Sequence, residues 1–350
     1  MKMKHLNQVY RIRGETISRF RYLRLDKNER VTNFSNYFLK KLKNKLNSFY
    51  LSAYPEIEKI YTLLSKSLKI NKEMIVITPG SDMAIRNCFE LFVKPKKKII
   101  TLSPTFSMVG VYAKIFQAKQ VEIKYDRNLN LELGKLINNI DKKTSLIIIA
   151  NPNSPTGTII AKNVLLKIIK KANLKKVPIL IDEAYFGFFK ETYISYVKKF
   201  SNLIISRTFS KTYGLAGVRA GYLVANYKIA KALYKLKPMY EISSLACLIV
   251  EEILKNKKIF YTYAKEVQLG KEYFIRELIK LDIQYLKSYA NFIHIKLDKK
   301  KERFEKMLKT KNILVRKGPG VIGYEGFLRI GLGPKQEMQK VISSLRKLNS

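Results

Sequence analysis

Short apolar runs alternate with amphipathic stretches over most of the 350-residue chain. Apolar positions recur at helical spacing over about 34–48, over 56–69, and through a long region near 243–281. Several runs between these regions are apolar on both faces, which is typical of strands buried in a mostly parallel sheet with helices on either side. The candidate strands are 97–102, 120–125, 145–150, 177–182, 202–207 and 221–225.

The alternation predicts an α/β fold with a large domain, a smaller C-terminal α/β domain and an N-terminal arm. Strands of the smaller domain are predicted at 291–297 and 327–332. We place the arm and first helix at 1–50, the large domain at 51–245 and the small domain at 246–350. Because no low-complexity linker separates these parts, we expect the arm to return to the C-terminal part of the chain.

Polar sequences follow three of the predicted strands directly. The strand at 145–150 continues into NPNSPTGT, that at 177–182 into EAYFGF, and that at 202–207 into TFSKTYGLAGVRAGY. An open α/β sheet places its ligand site at the carboxyl ends of its strands. Taken singly, these sequences are a turn-rich loop, a strand end and a loop that opens a helix. All three in this order are far more specific than a single glycine motif.

Composition narrows the chemistry available to such a site. The chain has two histidines, His5 and His294, and two distant cysteines, Cys88 and Cys247. A serine triad, a metal site and a disulfide framework are therefore not supported, and we expect both cysteines to be small core residues. Catalysis must depend on Lys, Asp, Tyr and Arg side chains.

The length suits two domains, and no apolar run reaches the eighteen or so residues that span a bilayer. Since the first residues are charged where a signal peptide would be apolar, we expect a cytoplasmic protein without membrane contact.

The formal net charge of +41 suggests an alternative, a non-catalytic protein that binds nucleic acid through its phosphates. The lysines are spread along the whole chain instead of gathered in one tail. This distribution favours a solvated basic surface and disfavours specific nucleic-acid binding. A basic field would also attract anionic cofactors and substrates, so it is compatible with an enzyme.

Further sequences along the chain carry a family resemblance. The chain resembles fold-type I pyridoxal-phosphate enzymes, within them the class I and II aminotransferases, and most closely the histidinol-phosphate aminotransferase group. The resemblance covers nearly the whole chain. Besides the three sequences above, it rests on LDKNER (25–30), AYPE (53–56), ITPGSD (77–82), SPTFSM (103–108), ILVR (313–316) and FLRIGLG (327–333).

The resemblance implies the cofactor pyridoxal 5'-phosphate, with Lys211 as the amine that forms a Schiff base with it. Once a substrate amine displaces Lys211, that freed amine can move a proton between the substrate and the cofactor. A buried carboxylate keeps the pyridine nitrogen protonated, and Asp182 is our choice for it. Tyr185 would hydrogen-bond the ring hydroxyl oxygen. In a straight strand residues 182 and 185 face opposite ways, so the chain must turn after Asp182.

The phosphate of the cofactor needs oriented donors at a positive helix end. Arg219 matches the family position for a cation that holds this phosphate. The other expected donors are the backbone N–H groups of Gly80, Ser81 and Asp82 and the hydroxyls of Thr208 and Ser210.

Two aromatic residues complete the expected cofactor site. In the family the tyrosine of the AYPE sequence reaches the phosphate of the neighbouring subunit, so Tyr54 implies a homodimer with shared sites. Phe106 is at the position of a ring stacked on the cofactor, although plain core packing would explain this residue equally well.

Substrate recognition is expected to rest on two arginines. Arg329 matches the family arginine that holds the substrate α-carboxylate. Arg316 lies at the position where histidinol-phosphate aminotransferases bind the substrate phosphate; the alternative is an ordinary surface arginine. Both together favour an amino substrate with a second anionic group.

The chain departs from the family pattern in three places. Ser154 stands where relatives commonly have an asparagine that contacts the ring hydroxyl, and Asn153 is an alternative for that role. The substrate-lining arm usually has a proline three residues after Asn28, where this chain has Val31. Glu241 stands where the histidinol-phosphate enzymes tend to have asparagine.

These residues predict a homodimeric aminotransferase with a ping-pong mechanism. We expect it to exchange an amino group between a phosphorylated or acidic amino compound, foremost L-histidinol phosphate, and a 2-oxo acid such as 2-oxoglutarate. The alternatives with the same fold are a decarboxylase of a phosphorylated amino acid, such as threonine phosphate, and an aminotransferase of surface-polymer synthesis.

Overall fold

The computed structural model describes residues 18–316 and 323–349, together with Leu6, Asn7 and Val9. Most of the predicted arm before residue 18 lies outside the described residues. Within the described part of the chain, no helix is long and apolar enough to cross a bilayer.

Twelve strands form among the described residues. In chain order they are β1 (Leu23–Leu25), β2 (Ile75–Thr78), β3 (Lys98–Ser103), β4 (Lys119–Lys124), β5 (Thr144–Ala150), β6 (Ile179–Asp182), β7 (Leu203–Thr208), β8 (Gly221–Ala225), β9 (Tyr285–Leu286), β10 (Phe292–Lys296), β11 (Ile313–Val315) and β12 (Phe327–Gly331).

The same part of the chain contains twelve α-helices. They are α1 (Asn36–Lys45), α2 (Phe49–Ser52), α3 (Glu58–Leu68), α4 (Gly80–Phe92), α5 (Ser107–Ile115), α6 (Leu133–Asn138), α7 (Lys162–Leu174), α8 (Tyr227–Leu236), α9 (Ser244–Lys255), α10 (Lys257–Lys280), α11 (Lys301–Thr310) and α12 (Lys335–Asn349).

Seven strands pair into the main sheet in the order β2-β8-β7-β6-β5-β3-β4. Strand β8 runs antiparallel to both of its neighbours, and the other pairs are parallel. The prediction of a mostly parallel α/β sheet is therefore confirmed, and each candidate strand forms. Strand β2 was missed, because its four residues lie between two helices and directly precede a Pro-Gly turn.

Alternate residues of β5 show why these strands are apolar on both faces. Ile147 and Ile149 belong to a core that α7 covers, whereas Leu146 and Ile148 belong to a second core on the side of α4. Each buried aliphatic side chain contributes about 1.5–3 kcal/mol relative to an exposed one. Cys88 lies in this second core and Cys247 in the first, so both are small core residues as expected.

A smaller unit follows the main sheet. Strands β12, β10 and β9 form an antiparallel sheet, and α10, α11 and α12 pack with it around a separate core. The predicted helical region at 243–281 is two helices interrupted at Asn256. Helix α9 packs in the core of the main sheet, whereas α10 enters the smaller core from Tyr263 onward. The predicted domain boundaries themselves stay a prediction.

The N-terminal segment returns to the smaller unit, as the sequence predicts. Strand β1 pairs in parallel with β11, with Leu23 opposite Ile313 and Leu25 opposite Val315. Leu25 is completely buried in the smaller core. The residues directly after β1 are thereby carried to the carboxyl edge of the main sheet.

Close backbone packing at Gly221 generates a test of this fold. A Cβ atom there would lie 2.7 Å from the Arg207 carbonyl oxygen and 2.7 Å from the Gly80 carbonyl carbon. Since both are backbone atoms, Gly221→Ala should lower the free energy of unfolding by about 1–3 kcal/mol in urea titrations. The matched control is Gly110→Ala in α5, where a Cβ would meet nothing within 4 Å. Equal stability of the two variants would contradict the close packing.

Candidate active site

A cavity of about 510 Å³ opens at the carboxyl ends of β5, β6 and β7. Its wall combines these strand ends with the start of α4, the segment after β1 and two arginines of the smaller unit. Most of the predicted site residues line it, namely Asn28, Ser81, Asp82, Phe106, Ser154, Asp182, Tyr185, Thr208, Ser210, Lys211, Arg219, Arg316 and Arg329.

Gly80 lies next to the wall residue Ser81 without being part of the wall, and three other candidates are not brought to the cavity wall either. Asn153 is buried within its own loop, where its amide donates to the Pro104 carbonyl and to Thr156 and its oxygen accepts from Thr105. The hydrogen-bonding groups of Asn153 are therefore already occupied, and Ser154 is the loop residue that lines the cavity.

The second of these candidates, Glu241, is buried in an ion pair with Lys237, with 2.9 Å between the charged atoms. The structure thus places this carboxylate against its own segment and not on the cavity. The third, Tyr54, is 75% exposed in the single chain and stacks on Tyr240 with 4.2 Å between ring centroids.

Asp182 ends β6 on the cavity floor. Its Oδ1 accepts a hydrogen bond of 2.7 Å from the hydroxyl of Ser206, its cross-strand neighbour in β7. Burial raises the pKa of Asp182 to about 6, the Ser206 hydrogen bond opposes this rise, and the charge of Glu183 adds to it. Sequence reasoning missed Ser206, although its position directly after the buried apolar run 203–205 is a usable signal.

The chain turns after Asp182, as predicted, and the turn is held by a buried ion pair. Arg207 donates from Nε and Nη2 to Glu183 Oε2 at 2.9 and 2.8 Å. The Arg207 guanidinium also lies 3.4 Å from the ring centroid of Phe186. Because this pair fixes the turn, both Asp182 and Tyr185 face the cavity.

Lys211 projects from the loop after β7 into the same cavity. Its Nζ donates to the Lys27 carbonyl at 3.0 Å and lies 5.9 Å from the ring centroid of Tyr185. Burial lowers the pKa of Lys211, and the nearby Arg329 and Arg219 cations lower it further. A larger fraction of this lysine is thus the neutral, nucleophilic amine at a given pH.

One end of the cavity is suited to a phosphate group. Helix α4 directs its N-terminal N–H groups there, beginning at Gly80. A Cβ at Gly80 would lie 2.9 Å from Arg219 Nη2, and the φ angle of Gly80 is 82°, so the close approach of this arginine requires glycine. Arg219 also donates to the Ser210 hydroxyl at 3.3 Å. Thr208 completes this end of the cavity wall.

The opposite end is cationic. Arg329 lies in the middle of β12, and its Nη2 donates to the Asp26 carbonyl at 2.8 Å. Among the described residues, Arg329 Nε has no hydrogen-bond partner. The exposed side chain of Arg316 directly follows β11, and the Arg316 backbone N–H donates to the Arg329 carbonyl at 3.3 Å. Two guanidinium groups on adjacent strands can together bind a doubly charged anion.

The Ser206 hydrogen bond leads to a prediction for Asp182. Removing the donor in Ser206→Ala should raise the pKa of Asp182 by roughly half to one unit, because a hydrogen bond to the charged carboxylate is lost. Carboxyl ¹³C NMR of aspartate-labelled protein would measure it, with Asp182→Asn to assign the signal. Ser201→Ala, an exposed serine just before β7, is the control. An unchanged pKa in Ser206→Ala would contradict the assigned role.

Comparisons with known proteins identify the family of this chain. The model of the family "Aminotransferase class I and II" matches residues 11–345. The histidinol-phosphate aminotransferase of Pyrococcus furiosus is 33% identical over 327 residues, which are 92% of this chain and 91% of that protein.

Solved structures show the same fold. The histidinol-phosphate aminotransferase of Sinorhizobium meliloti in complex with pyridoxal-5'-phosphate has a TM-score of 0.86 at 19% identity and covers 99% of this chain and 97% of that one. The L-threonine-O-3-phosphate decarboxylase of Porphyromonas gingivalis has a TM-score of 0.79 at 20% identity, covering 93% and 98%. The chain therefore belongs to the class I and II aminotransferase family and has the fold-type I architecture of pyridoxal-phosphate enzymes.

Proposed function

We propose that this aminotransferase exchanges an amino group between L-histidinol phosphate, or another phosphorylated or acidic amino compound, and 2-oxoglutarate. The observation that carries the proposal is the composition of one cavity. It combines the amine of Lys211, a buried carboxylate and a phosphate-suited helix end with a pair of arginines at the opposite end. The last feature separates this substrate class from purely apolar amino acids.

The residues present fit pyridoxal 5'-phosphate. Arg219, the Ser210 and Thr208 hydroxyls and the N–H groups at Ser81 and Asp82 would hold its phosphate. Because Gly80 has no side-chain carbon, Arg219 has room beside that helix end. Phe106 lines the cavity and would lie against the ring.

Pyridoxal phosphate, when bound, supplies an aldehyde that condenses with amines and a protonated ring that withdraws electrons. Lys211 would bind the aldehyde and, once released, move a proton at the substrate Cα, a role that its lowered pKa favours. Asp182 would hold the proton on the ring nitrogen, and Tyr185 would donate to the ring oxygen. Ser154 is the residue of its loop that could add a hydroxyl.

The two arginines suit both half-reactions. 2-Oxoglutarate carries two carboxylates, so Arg329 would bind the α-carboxylate and Arg316 the distal one. L-Histidinol phosphate carries a phosphate ester, and Arg316 would bind that group. Asn28 would help to line the substrate side of the cavity. Glu241 is excluded from this part of the proposal because the structure pairs it with Lys237.

A homodimer is part of the proposal. Tyr54 would reach the phosphate site of a neighbouring subunit. In support of this, large apolar side chains near Tyr54 are exposed in the single chain, and a second copy would bury them. These side chains are Phe49 (72% exposed), Leu51 (76%) and Met239 (77%). We further propose that the enzyme acts in the cytoplasm.

The proposed role of Lys211 predicts that its substitution abolishes transamination but not cofactor binding. Lys211→Ala should fold and still bind the cofactor through the phosphate end, but it should transaminate at less than roughly one thousandth of the wild-type rate. Wild-type protein reduced with borohydride should carry the cofactor on Lys211, as peptide mass spectrometry would show. Lys228→Ala, an exposed lysine of α8, should remain fully active. Substantial turnover by Lys211→Ala would contradict the assignment.

Substitution of each arginine should weaken the binding of a different set of substrates. Arg316→Ala should raise KM for L-histidinol phosphate and 2-oxoglutarate by roughly tenfold, because one charged contact is lost. It should change KM for phenylalanine, which has no distal anion, by less than about twofold. Arg329→Ala should weaken every α-carboxylate substrate, by roughly 2–5 kcal/mol. Arg303→Ala, an exposed arginine of α11, is the control.

A screen of amino donors with 2-oxoglutarate, in which the amine products are analysed, separates transamination from decarboxylation. It would include L-histidinol phosphate, aromatic amino acids, phosphoserine and phosphothreonine. A carbon dioxide-releasing reaction with a phosphorylated amino acid, without formation of glutamate from 2-oxoglutarate, would overturn the proposed function.

A further inference from the structure

Asn28 contacts the cofactor side of the cavity more directly than its predicted substrate role implies. Its Nδ2 donates to the Tyr185 hydroxyl oxygen at 3.0 Å, across 157 positions of sequence. Asn28 is 4% exposed, and its φ angle of 56° lies in the left-handed region. Its carbonyl accepts from the amide of the buried Asn291 at 3.2 Å, so its backbone is fixed as well.

The hydrogen bond from Asn28 constrains what the Tyr185 hydroxyl can do. A phenol has one proton to donate and oxygen lone pairs to accept with. An amide N–H that donates to this oxygen directs the phenol proton away from Asn28. It also stabilises negative charge on the oxygen, which makes the phenol a stronger donor to a third group.

We propose that Asn28 is a positioning residue that acts through Tyr185, directing the phenol proton toward the ring oxygen of the bound cofactor. The inference rests on the proposed cofactor roles and extends them to the N-terminal segment. Asn28 therefore sets the protonation behaviour of the bound cofactor, a role beyond lining the substrate pocket.

The neighbours of Asn28 support a role for this segment in the site. The carbonyls of Asp26 and Lys27 accept from Arg329 and Lys211 at 2.8 and 3.0 Å. Three consecutive residues thus contact three side chains of the cavity. Within this set, Asn28 is the one that uses its side chain, so the identity of that residue matters for its contact with Tyr185.

The test compares Asn28→Gly with wild type in the pyridoxal phosphate-loaded enzyme. Glycine tolerates the left-handed backbone and removes the Asn28 side chain together with its amide donor. A weaker donor to the ring oxygen should raise the pH midpoint of the visible absorbance change by roughly 0.3–1 unit. The matched control is Asn312→Gly, an exposed left-handed asparagine with a φ angle of 55°. The control should leave the midpoint unchanged.

A double substitution shows whether Asn28 acts through Tyr185. Tyr185→Phe should raise the midpoint by more than Asn28→Gly does, and adding Asn28→Gly to Tyr185→Phe should produce no further change. An unchanged midpoint in Asn28→Gly, or an equal shift with and without the Tyr185 hydroxyl, would overturn the inference.

These outcomes are distinguishable from failure of the proposed function. If wild-type protein shows the visible absorbance and transaminates, the midpoint shifts bear on Asn28 alone. If wild-type protein neither binds pyridoxal phosphate nor transaminates, the proposed function fails and the inference falls with it. A merely structural Asn28 would change the urea midpoint of unfolding without moving the absorbance midpoint.

Discussion

The buried ion pair between Glu183 and Arg207 is the interaction on which the geometry of the site depends. It joins the residue after β6 to a residue near the end of β7, and the Glu183 N–H also donates to the Ser206 carbonyl at 2.9 Å. Removing one partner of such a pair leaves a buried charge, at a cost of about 3–5 kcal/mol. The pair therefore holds the turn that brings Asp182 and Tyr185 to one cavity.

The charge at this turn also affects Asp182. The Glu183 carboxylate raises the pKa of Asp182, and the Ser206 hydroxyl opposes that effect. Arg207 neutralises most of the Glu183 charge at a distance of 2.8 Å, so the site does not carry two uncompensated adjacent carboxylates. The Glu183 charge at the turn is thus paired locally, independently of the net charge of +41 that the whole chain carries. We relate that surface charge to the attraction of anions and not to catalysis.

The sequence predicted which site residues lie at the ends of strands, but it did not predict the contacts between residues that are distant along the chain. The apolar runs before Lys211 and at Asp182 placed both residues at strand ends, which meet at one edge of a parallel sheet, whereas the roles expected of these residues came from the family resemblance. The turn after Asp182 followed from the two-residue period of a strand.

By contrast, the partner of Asn28 lies 157 positions away, which no local pattern encodes. The buried position of Glu241 beside Lys237 could not be predicted from the sequence either. Its partner Lys237 is four residues earlier, but an i,i+4 charge pair usually lies on a solvated helix, and here both side chains are buried outside any helix. Family position indicated Asn153 or Ser154, and only the packing of the loop distinguishes the two.

The position of the segment after β1 links substrate recognition to the cofactor. Strand β1 pairs with β11, and the Asn28 carbonyl is held by Asn291, so the segment is anchored to the smaller unit that also carries Arg316 and Arg329. Its other contacts, from Lys27 to Lys211 and from Asn28 to Tyr185, belong to the main sheet. The acceptor of Lys211 and the donor to Tyr185 thus lie on the same short segment as the Asp26 carbonyl, which accepts from Arg329, so this segment joins the cofactor side of the cavity to the substrate arginine.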